Sequence, residues 1–350
     1  MKQMSLPWIV LTAGAALLTR GAEAQDDWTR NFRVGMQLGV GIRADFKTSG
    51  QFALTGNDPG APNVPGVNHN YDDGYVRVDE TGNAMGYTSY WGYNDKASQY
   101  DATAPYVTFH SANSVNVASA TSSGREDAPY IGFDMAYGGT FGRLLGARLG
   151  WELGFGLLPI SITDTRPLAG TFTGTVHQFL NRGDIVMPGA TPGSPYQGGS
   201  SGIGPVIDGT AIPKADVVSS GTLTGSRTLD VNLFTLRLGP TFYWNLHPRW
   251  GVSASAGGAI GLVAGDYRFD EMATFGSGTT RNSGRFGKTD LTYGGYVNGL
   301  ALFHLQHDAD LFAGVQFMPL SDVRFNKGGR EAKLDLGSGF YFTAGINWPF

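Results

Sequence analysis

Eight charged side chains stand at alternating positions among apolar residues: Arg33, Arg43, Arg148 and Arg237, with Asp45, Asp134, Glu152 and Asp335. Four guanidiniums against four carboxylates form a balanced set. An ion removed from water without a partner is costly, so charges confined to one face must pair. Gln37, Tyr296, Asn298, Gln316 and Asn347 fall on the same face. The chemistry on offer is electrostatic: a salt-bridged filling or, if wet, a narrow path for ions. Arg148 and Glu152 lie about 13 Å apart along one strand, at roughly 3.3 Å per residue. Their partners are therefore expected on neighbouring strands.

Catalytic constellations are weaker. Hydrolysis by a side-chain nucleophile needs a base within hydrogen-bond reach of the nucleophile and a third group to orient the base. The six histidines, His69, His110, His177, His247, His304 and His307, are scattered. His304 and His307 are three apart, which in a strand puts them on opposite faces and argues against a metal pair. No enzyme, metal or cofactor is expected. Asp72, Asp73, Asp79, Glu80, Asp95 and Asp101 offer oxygen ligands to Ca²⁺, but without EF-hand spacing. Tyr71, Tyr75, Tyr87, Tyr90, Trp91, Tyr93 and Tyr100 form either a surface for a glycan or protein or, as favoured here, packing of their own segment onto the elements beneath it.

Those elements announce themselves by period-2 alternation. Every even position from Phe32 to Phe46 is apolar. That run is far longer than the five or six residues of an ordinary strand. The pattern returns in Ile131–Gly138, Ala147–Leu157, Leu229–Trp244, Trp250–Leu262, Leu291–Leu305, Leu311–Phe317 and Leu334–Phe350. A phase slip between Leu233 and Phe234 reads as a β-bulge. Connections alternate: short near 142–146, 245–249 and 306–308, long at about 47–129 and 163–221, and intermediate near 268–289 and 321–331. This predicts an all-β protein, an eight-stranded up-and-down antiparallel transmembrane β-barrel with long extracellular loops. Two inserted soluble domains are the alternative for the long segments. Residues 187–214, rich in Gly, Pro and Ser, read as loop. Phe32, Phe141, Trp151, Phe242, Trp244, Trp250, Phe303, Trp348 and Phe350 fall at one end of the strands, as an interfacial girdle requires.

The N-terminal segment reads as an address. Lys2, the apolar run Leu6–Leu18 and Ala22-Glu23-Ala24 form a secretory signal peptide over 1–24, with cleavage between Ala24 and Gln25. The remaining chain, 25–350, is expected to be a single barrel domain with 23 basic and 28 acidic residues and no basic stripe, which argues against a nucleic-acid partner. The chain has no cysteine, so burial or lipid must hold it together. After Leu18 no 18-residue apolar run exists, so any crossing of a membrane must be as a barrel.

The ending Thr343-Ala344-Gly345-Ile346-Asn347-Trp348-Pro349-Phe350 resembles the outer-membrane assembly signal, with Thr343, Gly345, Trp348 and Phe350 at its four defining positions. By strand count and topology the chain resembles the small outer-membrane barrels of the OmpA, OmpX and OmpW type. The resemblance covers roughly residues 32–46 and 130–350. It implies the outer membrane of a Gram-negative cell, the barrel-assembly machinery as a partner in biogenesis, and outer-membrane lipid as solvent. It carries no ligand. Tyr71-Asp72-Asp73-Gly74-Tyr75 and Tyr90-Trp91-Gly92-Tyr93 match nothing in those barrels. The expected role is structural or surface-interacting, with an extracellular ligand for the loops. A small channel for ions or solutes is the alternative, and an outer-membrane enzyme the third reading.

Overall fold

The computed structural model describes residues 29–350 apart from 55, 62, 63, 65, 126–128, 145, 182–185, 276, 277 and 306–308. The expected signal peptide and its cleavage site lie outside these residues, as do His307 and the short connection at 306–308.

Among the described residues the chain is mostly β-strand. Eight strands close into a ring: β1 (Arg30–Val40), β2 (Tyr130–Leu144), β3 (Ala147–Asp164), β4 (Ile212–His247), β5 (Trp250–Phe275), β6 (Gly278–His304), β7 (Asp310–Phe317) and β8 (Phe340–Pro349). Each is antiparallel to the next in the chain. β8 returns to β1 in an unbroken register from Asn31–Pro349 to Val40–Phe340. At the level of the ring each strand is paired on both sides, which is what lets a sheet stand in lipid.

The strand count exceeds eight because β4, β5 and β6 run on past the ring into a second tier. There β4 leaves β3 and pairs with Leu168–Leu180, which pairs with Tyr106–Arg125. That strand pairs in turn with Arg43–Ala53, then Arg330–Asp335, then Val323–Lys327. The last strand lies against β6, where Gly294 bridges Leu320 and Lys288 Nζ donates to the Arg324 carbonyl at 2.9 Å.

The two tiers have opposite polarity. In the lower one Met36, Leu153, Leu236, Leu238, Ile260, Leu291 and Val297 point outward and are exposed. Arg33, Gln37, Asp134, Glu152, Thr235 and Arg237 point inward and are buried. In the upper one Leu158, Ile160, Ile162, Leu229, Val231, Leu233, Val263 and Tyr267 are buried inside. Ser161, Asn232 and Arg268 face out to solvent. The switch occurs at one level around the wall: Leu157 pairs with Phe234, Phe234 with Leu262, and Leu262 with Leu291. Below it, the outward belt on β5 from Trp250 to Leu262 is about 30 Å high at a tilt of about 40°, close to the thickness of bilayer hydrocarbon. Aromatic pairs mark its lower rim: Phe32–Trp348 at 6.2 Å, Trp250–Phe303 at 4.8 Å and Phe242–Trp244 at 6.0 Å between centroids. A closed ring, a lipid-height apolar belt, an aromatic rim and a polar interior together make this an outer-membrane β-barrel.

The inversion corrects several expectations. The phase slip at Leu233–Phe234 is not a bulge, since the register of β4 with both neighbours is continuous from Leu229 to Leu238. The slip is the membrane boundary itself. The expected strand over Phe32–Phe46 is two strands, split at Gly41, whose φ of +76 bends the chain. Phe32, Val34, Met36 and Leu38 face lipid, whereas Ile42, Ala44 and Phe46 turn into the upper core. The last segment divides likewise, Leu334 and Leu336 being core and Phe340 onward belt. Ser338 Oγ donates to the Gly41 carbonyl at 3.0 Å, so the two bends brace each other. The segments expected as loops at 47–129, 163–221, 268–289 and 321–331 largely carry strands, because a barrel continued into water is still a sheet with an apolar inside.

Candidate functional site

Five of the eight charges expected in the lumen face it: Arg33, Asp134, Arg148, Glu152 and Arg237. Arg33 makes a two-pronged pair with Glu152 at 2.9 and 3.0 Å. Arg237 Nη2 donates to Asp134 at 2.6 Å. Each pair skips a strand. Arg33 on β1 reaches Glu152 on β3 past Ala136 and Gly138 of β2. Arg237 on β4 reaches Asp134 on β2 past Gly154 and Gly156 of β3. The partners are thus on next-but-one strands, not on neighbours, and the glycines supply the space. A Cβ on Gly154 would lie 2.5 Å from Arg237 Nη2. Arg148 is buried with its guanidinium 5.8 Å from the centre of the Tyr243 ring.

Arg43, Asp45 and Asp335 are not in the lumen. They lie on the outer face of the upper tier, where Arg43 is the register partner of Asp335 and Asp45 that of Lys333. The reason is the inversion: alternation continues through Gly41, but the polar face now meets water.

The lumen is closed at two levels above its lower rim. At that rim His304 Nδ1 and Asp310 are 2.6 Å apart, Asn347 donates to Asp310 at 2.8 Å, and the Tyr243 hydroxyl meets His304 Nε2 at 3.0 Å. Next comes the layer of Arg33, Glu152, Arg237 and Asp134. The void at this level, lined in part by Arg33, Arg148 and Glu152, is about 20 Å³, room for about one water. Above it an apolar core that includes Leu158, Leu229, Leu233, Val263, Tyr267 and Phe325 fills the upper tier. Over that core Glu271 is held between Arg227 at 3.0 Å and Arg330 at 2.7 Å.

In the terminal assembly pattern, Thr343 faces the lumen and Trp348 and Phe350 face lipid. Gly345 lies opposite Gly35, where a Cβ would come within 2.1 Å of the Val34 carbonyl oxygen. The Phe350 carbonyl accepts from the Thr29 and Arg30 amides.

Beyond the upper tier, the two long segments fold together into a head. Strands His69–Tyr71, Gly74–Val76, Trp91–Tyr93 and Tyr196–Gln197 form one small sheet, and Tyr87–Thr88 pairs with Ile207–Asp208. Tyr71, Trp91, Tyr93, Phe109, Phe179 and Ile207 share a buried core. Trp91 Nε1 donates to the Pro205 carbonyl at 2.8 Å and Tyr75 to the Gly198 carbonyl at 3.0 Å. Residues 187–214, expected as loop, thus contribute strands and core. The buried tyrosines pack within the head itself and not onto a barrel mouth.

The head also gathers histidines that the sequence left scattered. His110 Nδ1 lies 2.6 Å from Asp73 Oδ2, and Tyr71 OH lies 2.9 Å from His177 Nδ1. Burial, reinforced by nearby His69, lowers the pKa of His177. Asp73 Oδ1 accepts the His110 amide and Asp72 Oδ2 the Ala112 amide, each at 2.8 Å. This stretch of Tyr106–Arg125 lies between its pairings with Tyr100–Asp101 and Arg43–Ala53, so its edge amides need acceptors. The Asp72-Asp73 turn supplies them, a role that spacing alone could not reveal. Asp79 is fixed likewise. Burial pushes its carboxyl up, but hydrogen bonds from Thr81, Ser89 and Asn83 outweigh that and hold it below the usual range.

Beside that turn lies an open cleft of about 550 Å³. Asn57, Asn70 and Asn94 place amides on it, Asp58 and Asp72 place carboxylates, and Arg77 with Tyr75 forms one wall. Burial raises the Asp72 pKa, against the amides of Ala112 and Asn57 that lower it. Among the described residues no group of three or more His, Asp or Glu side chains is placed to hold a metal ion.

No protein-family model and no curated protein sequence matches this chain. Among solved structures, it is similar to Ail, the attachment invasion locus protein of Yersinia pestis, solved with the heparin analogue sucrose octasulfate, at 8% identity and a TM-score of 0.26, covering 91% of this chain and 99% of that one. It is similar to the outer membrane protease OmpT of Escherichia coli at 12% identity and a TM-score of 0.30, covering 91% and 97%. A Pseudomonas aeruginosa FadL homologue follows at 10% identity and a TM-score of 0.18, covering 92% and 90%. Scores this low carry no argument about this chain, whose place among outer-membrane barrels rests on the ring closure and the lipid-facing belt.

Proposed function

We propose that the eight ring strands cross the outer membrane as a sealed barrel and that the protein serves as a surface-interaction platform, holding its head outside the cell to meet an extracellular partner. One observation carries this reading. The lumen is occupied by the Arg33–Glu152 and Arg237–Asp134 layer and then by a continuous apolar core. An ion crossing it would lose its hydration with nothing to replace it. The upper tier acts as a stalk: β5 continues from Val263 to Phe275, about 30 Å of height at barrel tilt, before the head begins. We assign no catalytic step.

On this reading the chain loses residues 1–24 on export, and Thr343, Gly345, Trp348 and Phe350 are read by the barrel-assembly machinery. The test of the sealed barrel is conductance. Purified protein in a planar bilayer is expected to show no steady current. A stable open level in the parent protein would overturn the seal and favour a channel.

A further inference from the structure

The cleft beside the Asp72-Asp73 turn has a chemistry that selects among ligands. Two carboxylates, Asp58 and Asp72, face one guanidinium, Arg77. That balance repels an anion. The guanidinium is also committed, with Nη2 donating to Asn70 Oδ1 at 3.1 Å and its plane 4.7 Å from the centre of the Tyr75 ring. A bare cation fares no better. Both Asp72 oxygens already accept backbone amides, from Asn57 and Ala112 at 2.8 Å each, and Asp58 accepts that of Gly60 at 2.9 Å. The lining is mostly polar, so an apolar ligand would strand amides and carboxylates without partners.

What remains is a neutral ligand rich in groups that both donate and accept. Asn94 has no side-chain hydrogen bond among the described residues, and its main chain is pinned by donation to the Asp73 carbonyl at 3.1 Å. Asn57 is oriented by donation from Nδ2 to the Tyr71 carbonyl at 2.9 Å, which points its amide oxygen elsewhere. Planar amides and carboxylates held in place are matched to adjacent hydroxyls, each of which can donate to an acid and accept from an amide. The Tyr75 ring, covered by the Arg77 guanidinium and fixed through its hydroxyl to Gly198, holds that wall in place. The volume falls in the range of small-ligand sites.

We infer that this cleft is a binding site for an uncharged glycan, recognised through Asn57, Asp58, Asn70 and Asn94 beside the Arg77–Tyr75 wall. The inference rests on the surface-interaction reading and names its ligand class.

The experiment uses the full-length protein, folded in detergent and fluorescently labelled, on an array of neutral oligosaccharides with heparin as the polyanionic comparator. Binding to at least one neutral glycan is expected, unaffected by excess heparin. Asn94→Ala and Asp58→Ala should each weaken it about tenfold, the loss of roughly one net hydrogen bond to a charged or amide group. Both variants should keep the parent's heat-modifiable gel mobility, which separates lost binding from lost folding. Binding to no neutral glycan, binding to heparin alone, or undiminished binding by both variants would each overturn the glycan site. If the variants still let whole cells attach to a host surface, the surface-interaction reading stands while the glycan inference falls. If the parent conducts, the sealed-barrel reading fails independently of any glycan result.

Discussion

The two tiers of this barrel share strands and neighbours yet are built as opposites. In the lower tier the wall presents Leu236 and Leu238 to lipid and encloses Arg237. A few residues along the same strand, it presents Asn232 to water and encloses Val231 and Leu229. The backbone register does not change between them. Only the solvent outside changes, and the side chains follow. The inward ions of the lower tier must be paired, whereas the charges on the outer face of the upper tier meet water. The ions buried in the upper tier, Glu271 with Arg227 and Arg330, sit over its apolar core. A point change should therefore have different consequences in each.

The largest difference is expected for charge removal. Glu152→Ala leaves Arg33 buried and unpaired and should cost about 3–5 kcal/mol if the lumen is dry. Asp335→Ala, on the outer face of the upper tier, should change little. Urea titration of the refolded protein in lipid vesicles measures both. Equal small losses would mean that the lower lumen is wet and that the tiers do not differ in kind.

The boundary itself can be located with one substitution moved along one face. Leu238→Arg places a cation in the belt and should destabilise by about 2–4 kcal/mol if that site is near the midplane. Asn232→Arg, on the same face but above the switch, should be nearly neutral. The same titration in vesicles reads both, and a comparable loss at the two positions would move the membrane edge upward.

The hinge between tiers should give a smaller effect. Gly41 has φ of +76, and an added Cβ would lie 2.7 Å from the Ser338 carbonyl oxygen. Gly41→Ala is expected to cost about 1–2 kcal/mol from the left-handed conformation, and more if Ser338 does not shift. No loss would show that the bend is not a constrained joint.

The smallest effect concerns the head and pH. His177 faces the Tyr71 hydroxyl and lies near His69, and its pKa is lowered in the folded state. Its neutral form is therefore the one the fold favours. Stability from this site is fully present above the unfolded value near about 6.5 and is lost as pH falls through the lower folded value. Limited proteolysis of the head between neutral and mildly acidic pH should show increasing cleavage, flattened in His177→Gln. An unchanged profile in that variant would assign the pH response to another group.

Much of the barrel was legible because period-2 alternation is written locally. The outward residues of the ring, the aromatic rim, the chain order of the strands and the inward placement of Arg33, Asp134, Arg148, Glu152 and Arg237 all follow from it. The assignment of Arg43, Asp45 and Asp335 failed on the same signal. Alternation identifies an apolar face and a polar face but does not say which one looks inward. The head was harder to read. Its core joins Trp91 and Tyr93 to Ile207 and Met187, and its Asp73–His110 pair spans 37 residues. Neither has a local period to announce it, and a segment rich in Gly and Pro looks like loop until a second segment pairs with it.

The sequence by itself therefore determined that this chain makes a β-barrel suited to lipid, because strand periodicity, turn spacing and rim aromatics are short-range properties. Tertiary structure alone decided where lipid ends, which ions meet across a glycine on the intervening strand, and that two distant loops build one head with a polar cleft. Those outcomes depend on which surfaces face each other after ring closure, and long-range pairing of that kind leaves no trace in the spacing of residues along the chain.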